Sequence, residues 1–92
     1  MTGTLMTDTR AWEWPPGSYG KMPQHDGGSV WYAMSPNGLL ANLARHDVTE
    51  HADGTITVSP SILVSSRGIN KEGVEHKTEW HGYLENGVWR EC

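Results

Sequence analysis

The sequence predicts an all-β fold, a small antiparallel sandwich or partly open barrel of about six to seven short strands with an irregular N-terminal arm. Two observations support this prediction. Short segments rich in β-branched and aromatic residues recur in the second two-thirds of the chain, and such residues favour strands. Glycine, proline, asparagine and aspartate separate these segments roughly every eight to twelve residues, a spacing typical of small β domains. The 92 residues suffice for one domain.

Charge and cysteine content narrow the class of protein. The formal net charge is −4 and the seven lysines and arginines are scattered, whereas a nucleic-acid surface needs clustered cations. The single cysteine cannot form an internal disulfide, which favours a reducing compartment. No signal-peptide pattern is present, and no segment approaches the ~18 apolar residues of a membrane span. We therefore expect a cytoplasmic protein that binds neither nucleic acid nor a membrane.

Residues 1–28 form the predicted arm, and residues 29–92 form a single small β domain. The arm is rich in glycine, proline, threonine and serine and lacks strand or helix periodicity. Within it, Trp12 and Trp14 precede two prolines that favour an extended path. Two interpretations remain open. The tryptophans fold back onto the β core, or they anchor a partner protein at low entropic cost.

The β domain opens with a strand over residues 30–34 and a proline-containing turn over residues 35–38. Residues 39–43 predict a second strand, for which a short helix is the alternative. Further on, Pro60 interrupts the strand ladder because it has no N–H to donate. Residues 65–76 are polar with two glycines and predict a loop.

The Asp-Gly pair at 53–54 predicts the turn of the first hairpin, because both residues tolerate the φ angles of a tight turn. If this pair is a two-residue loop, Thr49 pairs with Val58 and His51 shares the apolar face. A three-residue loop instead pairs Val48 with Val58. The second register gives the better core, and we prefer it slightly.

The last residues, WHGYLENGVWREC, predict a terminal hairpin with a two-residue type I′ loop at Asn-Gly 86–87. In that register Tyr83 faces and stacks on Arg90, and His81 faces Cys92 on the same side of the sheet. An imidazole opposite a thiol could lower the thiol pKa or bind a metal. The opposite side of the hairpin is the core side, formed by Trp80, Leu84 and Trp89.

Two segments of the chain carry a resemblance to a known family. The first contains Thr57, Ser59, Pro60, Ser61 and Ile62, and the second contains His81, Tyr83 and Gly87. Together they resemble a family of short uncharacterised phage and bacterial proteins with the motif pair T-x-S-P-S-I and H-x-[aromatic]-x-x-x-G. Trp80 stands where many members have cysteine, and Gly82 stands where they have serine. The resemblance covers about forty residues and implies a phage or prophage origin, with no assigned activity.

Metal binding is a further possibility, because five histidines are many for this length. Neither HExxH nor CxxC occurs. His46 and His51 lie an odd number of residues apart in a predicted strand, which places them on opposite faces. The candidate ligands for zinc are therefore His51, His81 and Cys92. No other cofactor is predicted, since the glycine-rich phosphate-binding motifs are absent.

Three functions fit these observations. We favour a noncatalytic phage- or prophage-encoded protein that binds a host or virion protein. The alternatives are a small-ligand or carbohydrate binder with an aromatic platform, and a metal-binding protein. No catalytic motif such as GxSxG is present, which argues against an enzyme. The candidate partner-binding residues are Trp12, Trp14, Trp31, Tyr32, Tyr83 and Arg90.

Overall fold

A computed structural model describes residues 1–69 and 71–92, and in these residues the chain forms two four-stranded β-sheets. The first sheet contains, in order, β1 (Thr4–Met6), β2 (Ser18–Pro23), β3 (Ser29–Met34) and β4 (Leu40–Asn42). The second sheet contains, in order, β5 (Asp47–Glu50), β6 (Ile56–Ile69), β7 (Glu75–Glu85) and β8 (Val88–Glu91). Neighbouring strands are antiparallel, except that β1 and β2 are parallel. The predicted all-β class is confirmed, with eight strands instead of six or seven.

The main hydrophobic core lies between the two sheets. The first sheet contributes the buried side chains of Tyr19, Ala33 and Ala41, and Leu43 follows its last strand. The second sheet contributes Ile56, Val58, Ile62, Trp80, Leu84 and Trp89. Trp80 and Trp89 pack edge to face with ring centroids 5.3 Å apart, an arrangement that aromatic pairs favour. The sequence correctly placed Trp80, Leu84 and Trp89 on the core side.

A smaller apolar cluster covers the other face of the first sheet. The 3-10 helix Ala11–Glu13 and the residues around it lie across this face, where Ala11, Trp14 and Met34 are buried. Met6, Met22, Tyr32 and Leu40 pack against them. The Trp14 ring lies so close to Gly20 that a Cβ there would come within 2.8 Å of it. The molecule therefore has three layers: the 3-10 segment, the first sheet and the second sheet.

Regular structure begins before Ser29, earlier than the sequence predicts. Strand β2 lies within residues 1–28 and pairs with β3 across the expected boundary. The chain before β1 runs beside β8, where Gly3 N donates to Gly87 O at 2.7 Å and Trp89 N donates to Met1 O at 2.7 Å. The N-terminal segment thus connects one sheet to the other.

Both predicted hairpins have the expected register. In the first, Val48 pairs with Val58, so the preferred three-residue loop is confirmed. In the last, Glu85 pairs with Val88 and Leu84 with Trp89. The strand interpretation of residues 39–43 is also confirmed by β4. The predicted interruption at Pro60 is present as a shift of register in the β6–β7 ladder.

The prediction of a loop over residues 65–76 is wrong. Strand β6 continues to Ile69 and β7 starts at Glu75, so most of this segment is a two-stranded ribbon. We call the ribbon of residues 65–69 and 75–79 the projecting ribbon. Its side chains are almost all exposed on both faces, and for this reason the sequence shows no alternation there.

Candidate protein-binding surfaces

Trp12 is an exposed aromatic side chain held on a rigid support. It lies in the middle of the 3-10 helix and is 66% exposed, while Ala11 before it and Trp14 after it are buried. Trp14 N donates to Ala11 O at 3.2 Å, which closes the turn. Arg10 and Glu13, which flank Trp12 in the sequence, form an exposed 3.6 Å ion pair. The two tryptophans of the predicted arm therefore have different environments.

Trp14 fixes this turn to the first sheet. Its Nε1 donates to Asp8 Oδ1 at 2.6 Å, and the backbone N–H of Arg10 donates to the same oxygen at 3.1 Å. The Trp14 hydrogen bond is the main cause, and the Arg10 N–H the second, of a lowered pKa of the Asp8 carboxyl. Trp14 is only 4% exposed, so for this residue the structure agrees with the interpretation that the tryptophans fold back onto the β domain. The indole is packed in the smaller apolar cluster.

Trp31 forms one wall of an open cleft of about 290 Å³. The other residues that line the cleft are Leu5, Met6, Thr7, Lys21 and Glu50. Lys21 Nζ lies 5.3 Å from the centroid of the Trp31 ring and 3.2 Å from Glu50 Oε2. Since Lys21 belongs to β2 and Glu50 to β5, this ion pair joins the two sheets.

Tyr32, the neighbour of Trp31, points to the opposite face of the first sheet. It is half-buried against the cluster around Trp14, and its hydroxyl accepts a hydrogen bond from Asn42 Nδ2 at 3.1 Å. Trp31 and Tyr32 therefore do not form one aromatic platform.

Tyr83 and Arg90 lie on the face of the second sheet that is turned away from the core. They are directly paired across β7 and β8, and the Arg90 guanidinium lies 5.1 Å from the Tyr83 ring centroid. Arg90 Nη2 also donates to Glu85 Oε1 at 2.7 Å. The predicted stacking of this pair is confirmed.

The three predicted metal ligands have other interactions. Cys92 N donates to His81 O at 3.0 Å, so the predicted backbone register continues to the last residue. His81 Nε2 lies 3.0 Å from Ser61 Oγ, and His51 Nε2 lies 2.7 Å from Thr57 Oγ1. Within residues 1–69 and 71–92, no three histidine, cysteine, aspartate or glutamate side chains are grouped to hold a metal.

The segments 57–62 and 81–87 touch each other. Ser61 contacts His81, as described, and Asn86 N donates to Thr57 Oγ1 at 3.0 Å. Gly87 N donates to Ile56 O at 2.9 Å. Thr57 and the preceding Ile56 thus hold the turn at the end of the second segment.

Two exposed apolar residues were missed by sequence reasoning. Leu63 is 61% exposed on the outer face of the second sheet, and Ile69 is 74% exposed near the end of the projecting ribbon. Leu63 belongs to an apolar run that predicts burial, and Ile69 lies in the segment predicted as a loop. Leu63 and Ile69 are six residues apart, an even number, so they share one face if both lie in the same strand. This spacing is the sequence signal that could have found them.

The fold and these surfaces define a small two-sheet β protein with exposed aromatic and apolar side chains. No family model, no curated protein and no solved structure matches the chain. Within the part of the chain that the structure describes, no helix has both the length and the apolar character needed to cross a membrane.

Proposed function

We propose that this chain is a noncatalytic binding protein that uses Trp12 as the anchor for a protein partner. The observation that carries the proposal is the 66% exposure of Trp12 in a short turn whose residues Ala11 and Trp14 are buried. Large aromatic side chains are costly to leave in water and are enriched among the residues that dominate protein interfaces. Covering the exposed part of this indole would contribute about 3 kcal/mol by buried area.

The support of Trp12 favours tight recognition. A side chain that is mobile before binding loses conformational entropy when a partner fixes it. The backbone on either side of Trp12 is fixed by buried Ala11 and by Trp14, whose indole is bonded to Asp8. The exposed Arg10–Glu13 ion pair belongs to the same turn, so charged groups lie close in sequence to the apolar anchor. An apolar anchor with a polar rim is the usual composition of a protein interface.

The resemblance to short phage and bacterial proteins bears on the choice of partner. It makes a host or virion protein the expected partner, and the host cytoplasm the expected location. Binding is proposed rather than catalysis because the feature that carries the proposal is an exposed apolar side chain, the kind of group that anchors protein interfaces.

A photo-crosslinking experiment tests the proposal. Benzoylphenylalanine replaces Trp12 in one protein and Tyr83 in another, and each is irradiated in a lysate of the organism that carries the gene. We expect position 12 to give an adduct of one mass that excess wild-type protein competes away. The same adducts from both positions, or adducts that wild-type protein does not compete, would contradict the proposal.

The cleft at Trp31 favours a second candidate function, the binding of a small ligand such as a carbohydrate. An indole face beside an ammonium and a carboxylate is a suitable surface for a sugar ring, because the ring stacks and its hydroxyls reach polar groups. The Lys21–Glu50 ion pair lies at this face. A sugar would have to displace Lys21 from the ring in order to stack.

A further inference from the structure

The outer edge of β6 presents an unpaired strand. Strand β5 pairs with β6 only up to Ser59, whereas β6 continues to Ile69. Among the described residues, no strand lies beside β6 between Leu63 and Ile69 on the side opposite β7. An unpaired strand of this length is a template for another strand.

Three hydrogen bonds show which backbone groups point out from this edge. His81 O accepts from Cys92 N and Glu79 O accepts from Asn37 Nδ2, so both carbonyls point away from β6. In an antiparallel ladder their partners, Leu63 and Ser65, then also point away from β7. The contact of His46 Nε2 with Ser61 O, at 3.2 Å, fits the same alternation.

By this alternation, the N–H and C=O groups of Leu63, Ser65, Arg67 and Ile69 face outward. Their side chains all lie on the outer face of the second sheet, because Ile62 and Trp80 mark the core face. Leu63 and Ile69 are the exposed apolar members of this set. They are placed symmetrically about Ser66, three residues from each.

We propose that two copies of this chain associate through their β6 edges, antiparallel and centred on Ser66. In this register Leu63 pairs with Ile69 of the second copy, and Ser65 pairs with Arg67 of the second copy. The four outward-facing residues of each copy would exchange about eight backbone hydrogen bonds. Each exposed apolar side chain gains an apolar neighbour, and no like charges face each other.

Other edges are less suited to this pairing. The outer edge of β7 is occupied at two positions, by Cys92 at His81 and by Asn37 at Glu79. The edge of β8 is occupied by residues 1–3. Strand β5 is four residues long and carries Asp47 and Glu50, features that protect an edge.

The projecting ribbon itself would be stabilised by the association. A two-stranded ribbon without a packed face is marginal in water. Here Arg67 is also directly opposite Lys77, which is unfavourable, although Glu75 and Glu79 pair with them at 3.8 and 2.9 Å. In the dimer the two ribbons form a four-stranded sheet. Trp12 lies on the 3-10 segment, outside this edge, so the association does not depend on the proposed function.

A charge-exchange experiment tests the register by sedimentation equilibrium. Residues 63 and 69 are six positions apart on one strand, too far to interact within one copy, but they are paired between copies. The variant Leu63→Lys/Ile69→Lys places like charges opposite each other, and we expect it to weaken dimerisation at least about tenfold. The variant Leu63→Glu/Ile69→Lys places opposite charges there and should dimerise more tightly than the first variant. Both sites are exposed, so circular dichroism should show the fold intact.

Disulfide cross-linking locates the axis. In a Cys92→Ser background, Ser66→Cys should form a disulfide-linked dimer on oxidation, because residue 66 faces its own copy in a non-hydrogen-bonded pair. Thr78→Cys is the matched control, since Thr78 is paired with Ser66 but lies on the other strand. A wild-type protein that stays monomeric at millimolar concentration would overturn the proposal. So would equal dimerisation of the two charge variants, or equal cross-linking at 66 and 78.

Discussion

The indole ring of Trp80 lies over the backbone of Gly82, in the space that a side chain at position 82 would occupy. A Cβ there would lie 2.8 Å from Trp80 Cζ2 and would overlap Cη2 and the Arg90 carbonyl oxygen. The tryptophan and the glycine are therefore a matched pair, in which the missing side chain makes room for the larger one.

This packing predicts a coupled effect of two substitutions. Gly82→Ser should lower the free energy of unfolding by about 1–3 kcal/mol, because it overpacks the core beside Trp80. In a Trp80→Phe background the same change should cost less, since phenylalanine lacks the outer atoms of the indole. The overlap with Arg90 O is present in both backgrounds. The difference between the two losses of stability caused by Gly82→Ser therefore reports the Trp80 ring alone. Urea unfolding of the four proteins measures this coupling, and additive effects would contradict the packing described.

Thr57 connects the two predicted hairpins. Its Oγ1 accepts from Asn86 N at 3.0 Å and contacts His51 Nε2 at 2.7 Å. Thr57→Val keeps the shape but removes both bonds, and we expect a loss of about 1 kcal/mol of stability. Thr49→Val, on the neighbouring strand position, is the control and should change stability less. Equal effects of the two substitutions in urea unfolding would show that Thr57 has no such role.

The stability of the 3-10 turn that Trp14 fixes to the first sheet depends on pH through the Asp8 carboxyl. Its pKa is lowered from the ordinary value of 3.8, first by the Trp14 indole N–H and then by the Arg10 N–H. Because the folded-state pKa lies below the unfolded value, the ionised carboxylate stabilises the fold above pH 3.8. This contribution is lost as the pH falls through the lower folded-state pKa.

We therefore expect the Trp14 indole N–H resonance to titrate with a midpoint below 3.8 in two-dimensional NMR spectra. Asp8→Asn should abolish the titration of the Trp14 signal. The pH dependence of the other four indole signals should be the same in the variant as in the wild-type protein. A midpoint at or above the ordinary aspartate value would contradict the hydrogen bond between Asp8 and Trp14.

The cleft at Trp31 is tested with a thermal-shift screen of sugars and nucleotides. If the second candidate function is correct, one ligand class raises the melting temperature of the wild-type protein. Glu50→Gln should reduce that rise, because it removes a charged group of the cleft. Glu13→Gln, outside the cleft, is the control. No rise with any sugar or nucleotide would remove this candidate.

The hairpin registers were predictable because short-range turn chemistry fixes them. Gly54, Asn86 and Gly87 have the positive φ angles that tight turns need. Once each turn is placed, residues at equal distances along the chain from the turn are paired. This rule gives the pairings of Val48 with Val58 and of Tyr83 with Arg90.

Strand β2 and the projecting ribbon were not predictable from periodicity. Strand β2 buries Ser18, Tyr19 and Gly20 in succession, because its two faces meet different apolar clusters. The ribbon has the opposite character, since both of its faces are exposed. Alternation of polar and apolar residues appears only where one face is buried and the other is not.

The different positions of Trp12 and Trp14 also required the structure. Both lie in one glycine- and proline-rich segment, and composition treats them alike. The 3-10 turn and the Asp8 bond direct Trp14 inward and leave Trp12 exposed. The packing of Trp14 against Gly20 and Met34 of the first sheet, which the sequence does not reveal, then separates the buried tryptophan from the exposed one.

We propose that Trp12 serves binding and not folding, and the variant Trp12→Ala tests this most directly. Its free energy of unfolding should stay within about 0.5 kcal/mol of the wild-type value, as for other surface changes, while Trp14→Ala should lose about 3–5 kcal/mol. Affinity of Trp12→Ala for the partner found by crosslinking, measured by calorimetry, should fall at least about thirtyfold, which corresponds to about 2 kcal/mol. Unchanged affinity, or a loss of stability as large as that of Trp14→Ala, would contradict the claim.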